Sequence, residues 1–350
     1  MLRDLSEAPG LPGFEQDVRR LIRGYCEPFS TTEYDSLGSI ICRKEGSSTS
    51  PRIMLAGHMD EVGFIAIYIT EKGFVKFQPM GGWFDQVLLA QRVVIKTSKG
   101  DVPGVIGCKP PHLMTEDDRK KVIMMKDMFI DIGAASREEA SALGVRPGDP
   151  VLPVSQFGVT ANGKLLMGKA WDDRAGCALF IEVLRRLSTT DHPNTVFGVG
   201  TVQEEVGLRG ATTSCHVTDP DVAFALEVDI AGGAPGMDEA EALSRLGHGP
   251  SLTVYDASMV PNVKLRDLVI SVAEREKIPL QMNFMARGGT DAGRIHIHGR
   301  GVPSVVISVP SRYIHSHVGL IHRDDFDAAV SLLVAIVKRL DAATVAGLKL

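Results

Sequence analysis

The run Ile53-Met-Leu-Ala56 is short and continuously apolar, and His58 and Asp60 follow it almost directly. Three further runs share this character: Val196-Phe-Gly-Val199, Val222-Ala-Phe-Ala-Leu226 and Val305-Val-Ile-Ser-Val309. Short apolar runs without alternation are typical of strands that are buried on both faces of a parallel sheet. We therefore predict a mostly parallel sheet that contains these four strands.

Helical patterns lie between the predicted strands. Apolar residues recur at helical spacing near residues 18–25, 174–188, 263–277 and 325–340. In the last segment Phe326, Val330 and Leu333 fall on one stripe, as expected for a helix with one buried face. Strands that alternate with helices indicate an α/β protein. The predicted fold is a mixed, mostly parallel sheet that is sandwiched by helices.

Residues 71–164 have a different character. They combine alternating runs such as Val93-Val-Ile-Lys96 with frequent Gly and Pro and only short helical patches. Such patterns predict short strands joined by turns. We interpret residues 71–164 as a small β-rich domain, inserted into a larger domain formed by residues 1–70 and 165–350.

The composition excludes several classes of protein. The 350 residues carry a net charge of −5, with 44% hydrophobic and 23% charged residues, as in ordinary globular proteins. No dense run of Lys or Arg suits a phosphate backbone, so nucleic acid is not an expected partner. The chain shows neither a signal-peptide pattern nor an apolar run of roughly 18 residues, which predicts a cytoplasmic protein without a membrane partner. The five cysteines lack CxxC spacing and are expected to be small buried residues.

Histidines and acids follow the predicted strands. In chain order they are His58 and Asp60, Glu204 and Glu205, Glu227 and Asp229, and His315 and His317. A single pair of this kind is more typical of a solvated strand end. However, ligands in open α/β sheets bind at the carboxyl ends of the strands, and convergence from several strands favours a metal site there. Glu227 and Asp229 share one face of their strand, so either of them can be the ligand.

Two adjacent acids, Asp172 and Asp173, precede the helix predicted at 174–188. Aspartate is favoured at a helix N-cap, so a structural role is one interpretation. That role suits Asp173, or both acids share it. A carboxylate that bridges two cations is the functional alternative for Asp172.

Several motifs resemble the glutamyl aminopeptidase family, which includes the tetrahedral (TET) aminopeptidases. They are Gly57-His-Met-Asp-Glu-Val-Gly63, Lys169-Ala-Trp-Asp-Asp-Arg174, Gln203-Glu-Glu-Val-Gly-Leu-Arg-Gly210, Gly288-Gly-Thr-Asp291 and Arg312-Tyr-Ile-His-Ser316. Segments 105–113 and 127–133 of the predicted insertion resemble the family as well. The resemblance covers nearly the whole chain and implies a fold of the zinc exopeptidase type.

The resemblance implies an active site with two divalent metal ions per subunit. It implies that His58, Asp172 and Glu227 bind one ion. Asp172, Glu205 and His315 would bind the other, so that Asp172 bridges the pair. Zinc is the expected metal, and cobalt or manganese are alternatives, because nitrogen and oxygen ligands accept several divalent ions.

The resemblance also assigns roles to residues that do not bind metal. Glu204 would be the general base, which takes a proton from a water between the metals and returns it to the leaving amine. Asp60 would orient His58. A further implication is a cis peptide bond between Asp172 and Asp173.

For the substrate, the resemblance implies short peptides with a free N-terminus, and Gly289, Thr290 and Asp291 are the expected binding residues. Arg287, beside this motif, would favour acidic N-terminal residues or form a structural ion pair. The insertion would mediate dimerisation, with dimers joining into a hollow dodecamer, whereas a lid on a monomer is the alternative.

Two other functions compete with an aminopeptidase. One is a different amide hydrolase of the same architecture, such as a carboxypeptidase or a deacylase. The other is a scaffold without catalysis, and the intact Glu204 argues against it.

Overall fold

The computed structural model describes residues 1–349, which form a large mixed sheet and a small closed barrel. The strands are β1 Thr31–Tyr34, β2 Ile40–Glu45, β3 Arg52–His58, β4 Gly63–Ile69, β5 Val75–Met80, β6 Arg92–Thr97, β7 Gly100–Gly107, β8 Phe129–Asp131, β9 Pro150–Pro153, β10 Gly158–Val159, β11 Leu165–Gly168, β12 Thr195–Thr201, β13 Val222–Ile230, β14 Ser251–Asp256, β15 Gln281–Met285, β16 Ser304–Arg312 and β17 Gly319–His322. The helices are α1 Leu2–Glu7, α2 Gln16–Cys26, α3 Glu116–Arg119, α4 Arg137–Ala142, α5 Trp171–Leu187, α6 Arg209–Thr218, α7 Val263–Glu276, α8 Ala292–Ile295, α9 Arg323–Val337 and α10 Ala342–Leu348.

The large sheet has the order β1-β2-β12-β3-β13-β16-β17-β11-β10, with β14 and β15 attached beside β16. Its four central strands, β12, β3, β13 and β16, are adjacent and parallel. These strands contain the four apolar runs, so the prediction of a buried parallel core is confirmed. The pairs that flank this core are antiparallel, which makes the sheet as a whole mixed.

Helices cover both faces of the large sheet. Helices α5 and α9 pack on one face, with α1, α2 and α7 around them, and α6 and α8 pack on the other. The predicted α/β sandwich is therefore confirmed. No helix within residues 1–349 is long and apolar enough to cross a membrane. Four of the five cysteines are buried, as predicted, whereas Cys108 in the barrel is half-buried.

The small barrel closes in the order β4-β5-β8-β7-β6-β9 around its own apolar core. Its strands begin at Gly63 and end at Pro153, whereas the sequence suggested an insertion at 71–164. The first boundary shifts because β4 pairs with β5 and β9 of the barrel. The second shifts because β10 pairs with β11, which joins the large sheet through β17.

Candidate active site

Histidine and acidic side chains meet at one edge of the large sheet. His58 ends β3, and Glu227 lies within the adjacent parallel strand β13. Glu205 follows β12, Asp172 lies in the first turn of α5, and His315 follows β16. The structure thus brings together all five residues expected to bind metal. Parallel strands place their carboxyl ends at the same edge of a sheet, and this arrangement explains the convergence.

Asp172 lies between the two histidines. Its Oδ1 atom is 3.0 Å from His58 Nε2, and its Oδ2 atom is 3.1 Å from His315 Nε2. Each histidine also has a glutamate neighbour: Glu227 Oε2 lies 3.9 Å from His58 Nε2, and Glu205 Oε1 lies 3.4 Å from His315 Nε2. The carboxylate of Asp172 therefore connects two groups of potential ligands.

Asp173 also lies close to His58 and Glu227, but hydrogen bonds to the backbone engage both of its carboxylate oxygens. Oδ2 accepts the N–H of His58 at 3.0 Å, and Oδ1 accepts the N–H of Gly176 at 2.9 Å. Its bond to Gly176 caps the regular part of α5, as the N-cap interpretation predicted. The peptide bond between Asp172 and Asp173 is cis, as the family resemblance implied.

Two buried carboxylates hold the turn that carries Glu204 and Glu205. The oxygens of Asp60 accept the N–H groups of Glu204 and Glu205, both at 3.0 Å. Glu15 Oε1 accepts the preceding N–H, that of Gln203, at 3.1 Å. Three successive N–H groups thus donate to carboxylates, which fixes the direction in which the two glutamates leave the backbone.

Asp60 contacts His58 through its backbone more closely than through its carboxylate. Its backbone carbonyl oxygen lies 2.9 Å from His58 Nδ1, whereas its carboxylate Oδ1 lies 3.6 Å away. A hydrogen bond at Nδ1 leaves Nε2 free to bind a metal ion. Glu15 could not be found from the sequence, because it is 188 residues away from Gln203 in the chain and belongs to no recognisable pattern.

The site concentrates negative charge. Within the described chain, its carboxylates form ion pairs with histidines and not with Lys or Arg. Burial raises the pKa of Glu204 well above its ordinary value, and His58 only partly opposes this effect. Burial lowers the pKa of His315, but Asp172 and Glu205 outweigh it and raise the pKa to about 11. Buried carboxylates in such excess need cations to compensate them.

The donor atoms fit divalent metal ions. Glu205 Oε1 is buried and accepts no hydrogen bond from residues 1–349, and its 3.4 Å contact with His315 Nε2 leaves it available to a metal ion. Two groups, His58 with Asp172 and Glu205, and His58 with Asp173 and Glu227, place their ligand atoms within 4.8 Å of one another. Imidazole nitrogens and carboxylate oxygens are ligands that zinc uses in catalytic sites.

The structure distinguishes between Glu227 and Asp229. Asp229 accepts hydrogen bonds from Ser244 Oγ, Ser251 Oγ and Asn283 Nδ2. Glu227 accepts none from the described residues and stands nearer to His58. These contacts favour Glu227 as the ligand, because three neutral side chains already donate hydrogen bonds to Asp229.

A cavity of about 560 Å³ opens onto the cluster and is lined by Glu204, Gly289 and Thr290. Asp291 does not line it, because its carboxylate is turned inward and accepts the hydroxyl hydrogen bond of Thr201. Thr290 donates to Asp256 at 3.1 Å, which holds the motif against the sheet. Two of the three expected substrate-binding residues therefore reach the cavity, whereas Asp291 connects the motif to Thr201 at the end of β12.

The mixed sheet between helices carries histidines and carboxylates that gather over a cavity at its edge, an arrangement that can bind metal ions. The chain belongs to the M42 glutamyl aminopeptidase family, whose profile matches residues 38–332. Aminopeptidase activity follows from this membership, and the family resemblance seen in the sequence is confirmed.

Similar proteins support the same assignment along almost the whole chain. The structure of the TET aminopeptidase from the marine sediment archaeon Thaumarchaeota archaeon SCGC AB-539-E09 is 52% identical, with a TM-score of 0.98, and the match covers 99% of this chain and 98% of that one. The glutamyl aminopeptidase of Lactococcus lactis is 36% identical over 99% of this chain and 98% of its own length. The TET1 peptidase of Pyrococcus horikoshii, which can assemble into a tetrahedron or a large octahedral shell, is 34% identical with a TM-score of 0.87, covering 97% of this chain and 98% of that one.

Proposed function

We propose that this chain is a dinuclear metalloaminopeptidase that removes N-terminal residues from short peptides, with Glu204 as its general base. The observation that carries the proposal is the position of Asp172, which contacts both histidines through opposite oxygens beside a cavity. Zinc as the metal and the cytoplasm as the location are parts of the same proposal.

Five side chains would hold the metals. His58, Asp172 and Glu227 are proposed for one ion, and Asp172, Glu205 and His315 for the other. Two ions held in this way would polarise the peptide carbonyl and supply a nucleophile at neutral pH. Asp60 and Glu15 would act indirectly, because they hold the turn that aims Glu204 and Glu205.

Glu204 is suited to move protons because its carboxylate is not otherwise engaged. It lines the cavity and accepts no hydrogen bond from the described residues, and its Oε2 atom lies 3.9 Å from His58 Nε2. A general base must reach the proton that it abstracts, and its pKa must suit the working pH. The raised pKa of Glu204 would also help it to hand the proton to the leaving amine.

The acidic surroundings favour a free α-amine on the substrate, which distinguishes an aminopeptidase from a carboxypeptidase or a deacylase. We expect a peptide with a free N-terminus to be hydrolysed at least ~10²-fold faster than the same peptide after N-acetylation, since positioning of the reacting group contributes effects of this size. The measurement is kcat/KM for the matched pair with the metal-loaded protein. Equal rates, or faster cleavage of the acetylated peptide, would favour a deacylase.

The barrel is proposed to mediate assembly. It contains few groups suited to catalysis, yet it exposes large apolar side chains, including Phe84 and Leu113, which are 59% and 69% exposed. Exposed apolar surface of this kind marks interfaces, and closed symmetric assembly is common. We expect a particle of twelve subunits by multi-angle light scattering, or dimers under dissociating conditions, with no degradation of folded proteins. A stable monomer with full activity would contradict this proposal.

A further inference from the structure

The cavity beside the metal ligands contains a polar patch that the proposed mechanism does not use. Asp229 of β13, Ser308 of β16, Thr253 of β14 and Asn283 of β15 all line the cavity. In the sheet register Ser308 lies opposite Glu227, and Thr253 lies opposite Asn283. We call Asp229, Ser308, Thr253 and Asn283 the polar floor.

Asp229 carries the carboxyl group of the polar floor, and within residues 1–349 it forms hydrogen bonds but no ion pair with Lys, Arg or His. It is only 6% exposed, and its hydrogen-bond donors are the neutral side chains of Ser244, Ser251 and Asn283. A carboxylate offers about four acceptor positions, so three donors leave room for one more. A buried carboxylate without a cation is unfavourable, and a positively charged ligand group would compensate it.

Asn283 contributes a second free acceptor. Its Nδ2 atom donates to Asp229 at 2.6 Å, whereas its Oδ1 atom is buried and accepts no hydrogen bond from the described residues. The Asn283 side chain is 5% exposed, so its unpaired oxygen is withheld from bulk water. An amide oxygen without a donor, beside a carboxylate that can accept one more hydrogen bond, suits an ammonium group, which has three N–H donors.

Besides the histidines proposed as metal ligands, Arg287 also lines the cavity, and its charge would favour an acidic substrate. Arg287 is exposed at the cavity wall, and the exposed acid Glu241 lines the same cavity. Exposed charges are screened by water and salt. Charges that are removed from water interact more strongly, because the effective dielectric constant is lower. The buried Asp229 should therefore determine the charge preference more than Arg287 does.

We infer that the polar floor is the subsite for the side chain of the N-terminal residue and that Asp229 selects basic residues, lysine above all. This inference rests on the proposed aminopeptidase function. Asp229 lies two residues beyond Glu227 along β13, a rise of about 6.6 Å. The four-carbon stem of lysine spans roughly 6 Å, so an amine bound near the metal ligands would let the side chain reach the floor. Apolar residues of the cavity such as Ile230, Phe284 and Met285 can pack against that stem.

The test compares p-nitroanilides of lysine, norleucine and glutamate with the metal-loaded assembly. Norleucine has an unbranched apolar side chain without the ammonium group, so its cleavage measures the aminopeptidase activity that does not depend on side-chain charge. We expect kcat/KM for lysine to exceed that for norleucine by at least ~10-fold and that for glutamate by more, since tenfold corresponds to 1.4 kcal/mol. A wild type that cleaves norleucine but prefers glutamate, or shows no preference for lysine, overturns the inference and leaves the aminopeptidase function intact. Failure to cleave any of the three would instead contradict the proposed function.

Variants of residues that line the cavity test whether Asp229 causes the preference for lysine. Asp229→Asn should reduce the ratio of kcat/KM for lysine to that for norleucine by at least ~10-fold, whereas Glu241→Gln should change it by less than ~3-fold, because an exposed carboxylate is screened. Thr253→Lys would place a competing ammonium group on the polar floor and should also abolish the preference. If Asp229→Asn does not fold, the three substrates compared with the wild type and with Thr253→Lys still test whether the polar floor selects lysine. A lysine preference that survives both changes on the polar floor would overturn the role of Asp229.

Discussion

Replacing Glu204 by glutamine is expected to leave both metal ions in place and to reduce kcat by at least ~10²-fold, the usual contribution of a general base. Glutamine has nearly the same shape as glutamate but cannot accept the proton. The substitution should not disturb the turn, because Asp60 holds the backbone N–H of Glu204 and the Glu204 carboxylate has no hydrogen-bond partner within the described chain. Metal analysis and steady-state kinetics on the same preparation measure both effects.

The neighbouring residue provides a matched control. Glu205→Gln alters the same turn, but it removes a proposed ligand, so this variant should lose metal as well as activity. A Glu204→Gln variant that has lost metal, or that turns over at a near-normal rate, would show that Glu204 is not the general base.

The sequence predicted the central sheet and the convergence of histidines and acids at its edge because both depend on local patterns. Apolar runs such as Ile53–Ala56 mark buried parallel strands, and parallel strands end at a common edge. The acids that follow those runs therefore meet in space without any knowledge of long-range contacts. The preference of aspartate for helix N-caps predicted this role for Asp173 or for Asp172 and Asp173 together, and Asp173 accepts the N–H of Gly176.

Features that depend on distant contacts could not be derived in this way. Glu15, in the segment before α2, accepts the N–H of Gln203 beside Glu204 and Glu205, and only the folded chain brings these residues together. Asp60 binds His58 through its backbone carbonyl, which no side-chain pattern reveals. The limits of the barrel also depend on strand pairing. The sequence of β4, Gly63–Ile69, does not show whether this strand pairs in the large sheet or in the barrel, where it pairs with β5 and β9.

Glu227→Ala is expected to lower the occupancy of one metal site, whereas Asp229→Ala should leave both sites largely filled. The reason is that Glu227 lies near His58 and accepts no hydrogen bond from the described residues, while three donors engage Asp229. Asp229→Ala should reduce stability by about 1–3 kcal/mol for each buried donor that it leaves unpaired. Thermal unfolding therefore distinguishes this structural loss from a loss of metal.

Metal content per subunit tests the two-metal account most directly. Wild type, Glu227→Ala and Asp229→Ala would be loaded with zinc, freed of excess metal and analysed by elemental mass spectrometry against protein concentration. With one ligand set for each ion, we expect about two ions per subunit in wild type and Asp229→Ala, and about one in Glu227→Ala. A wild type that is active with one ion or none, or a loss of metal confined to Asp229→Ala, would contradict the two-metal account.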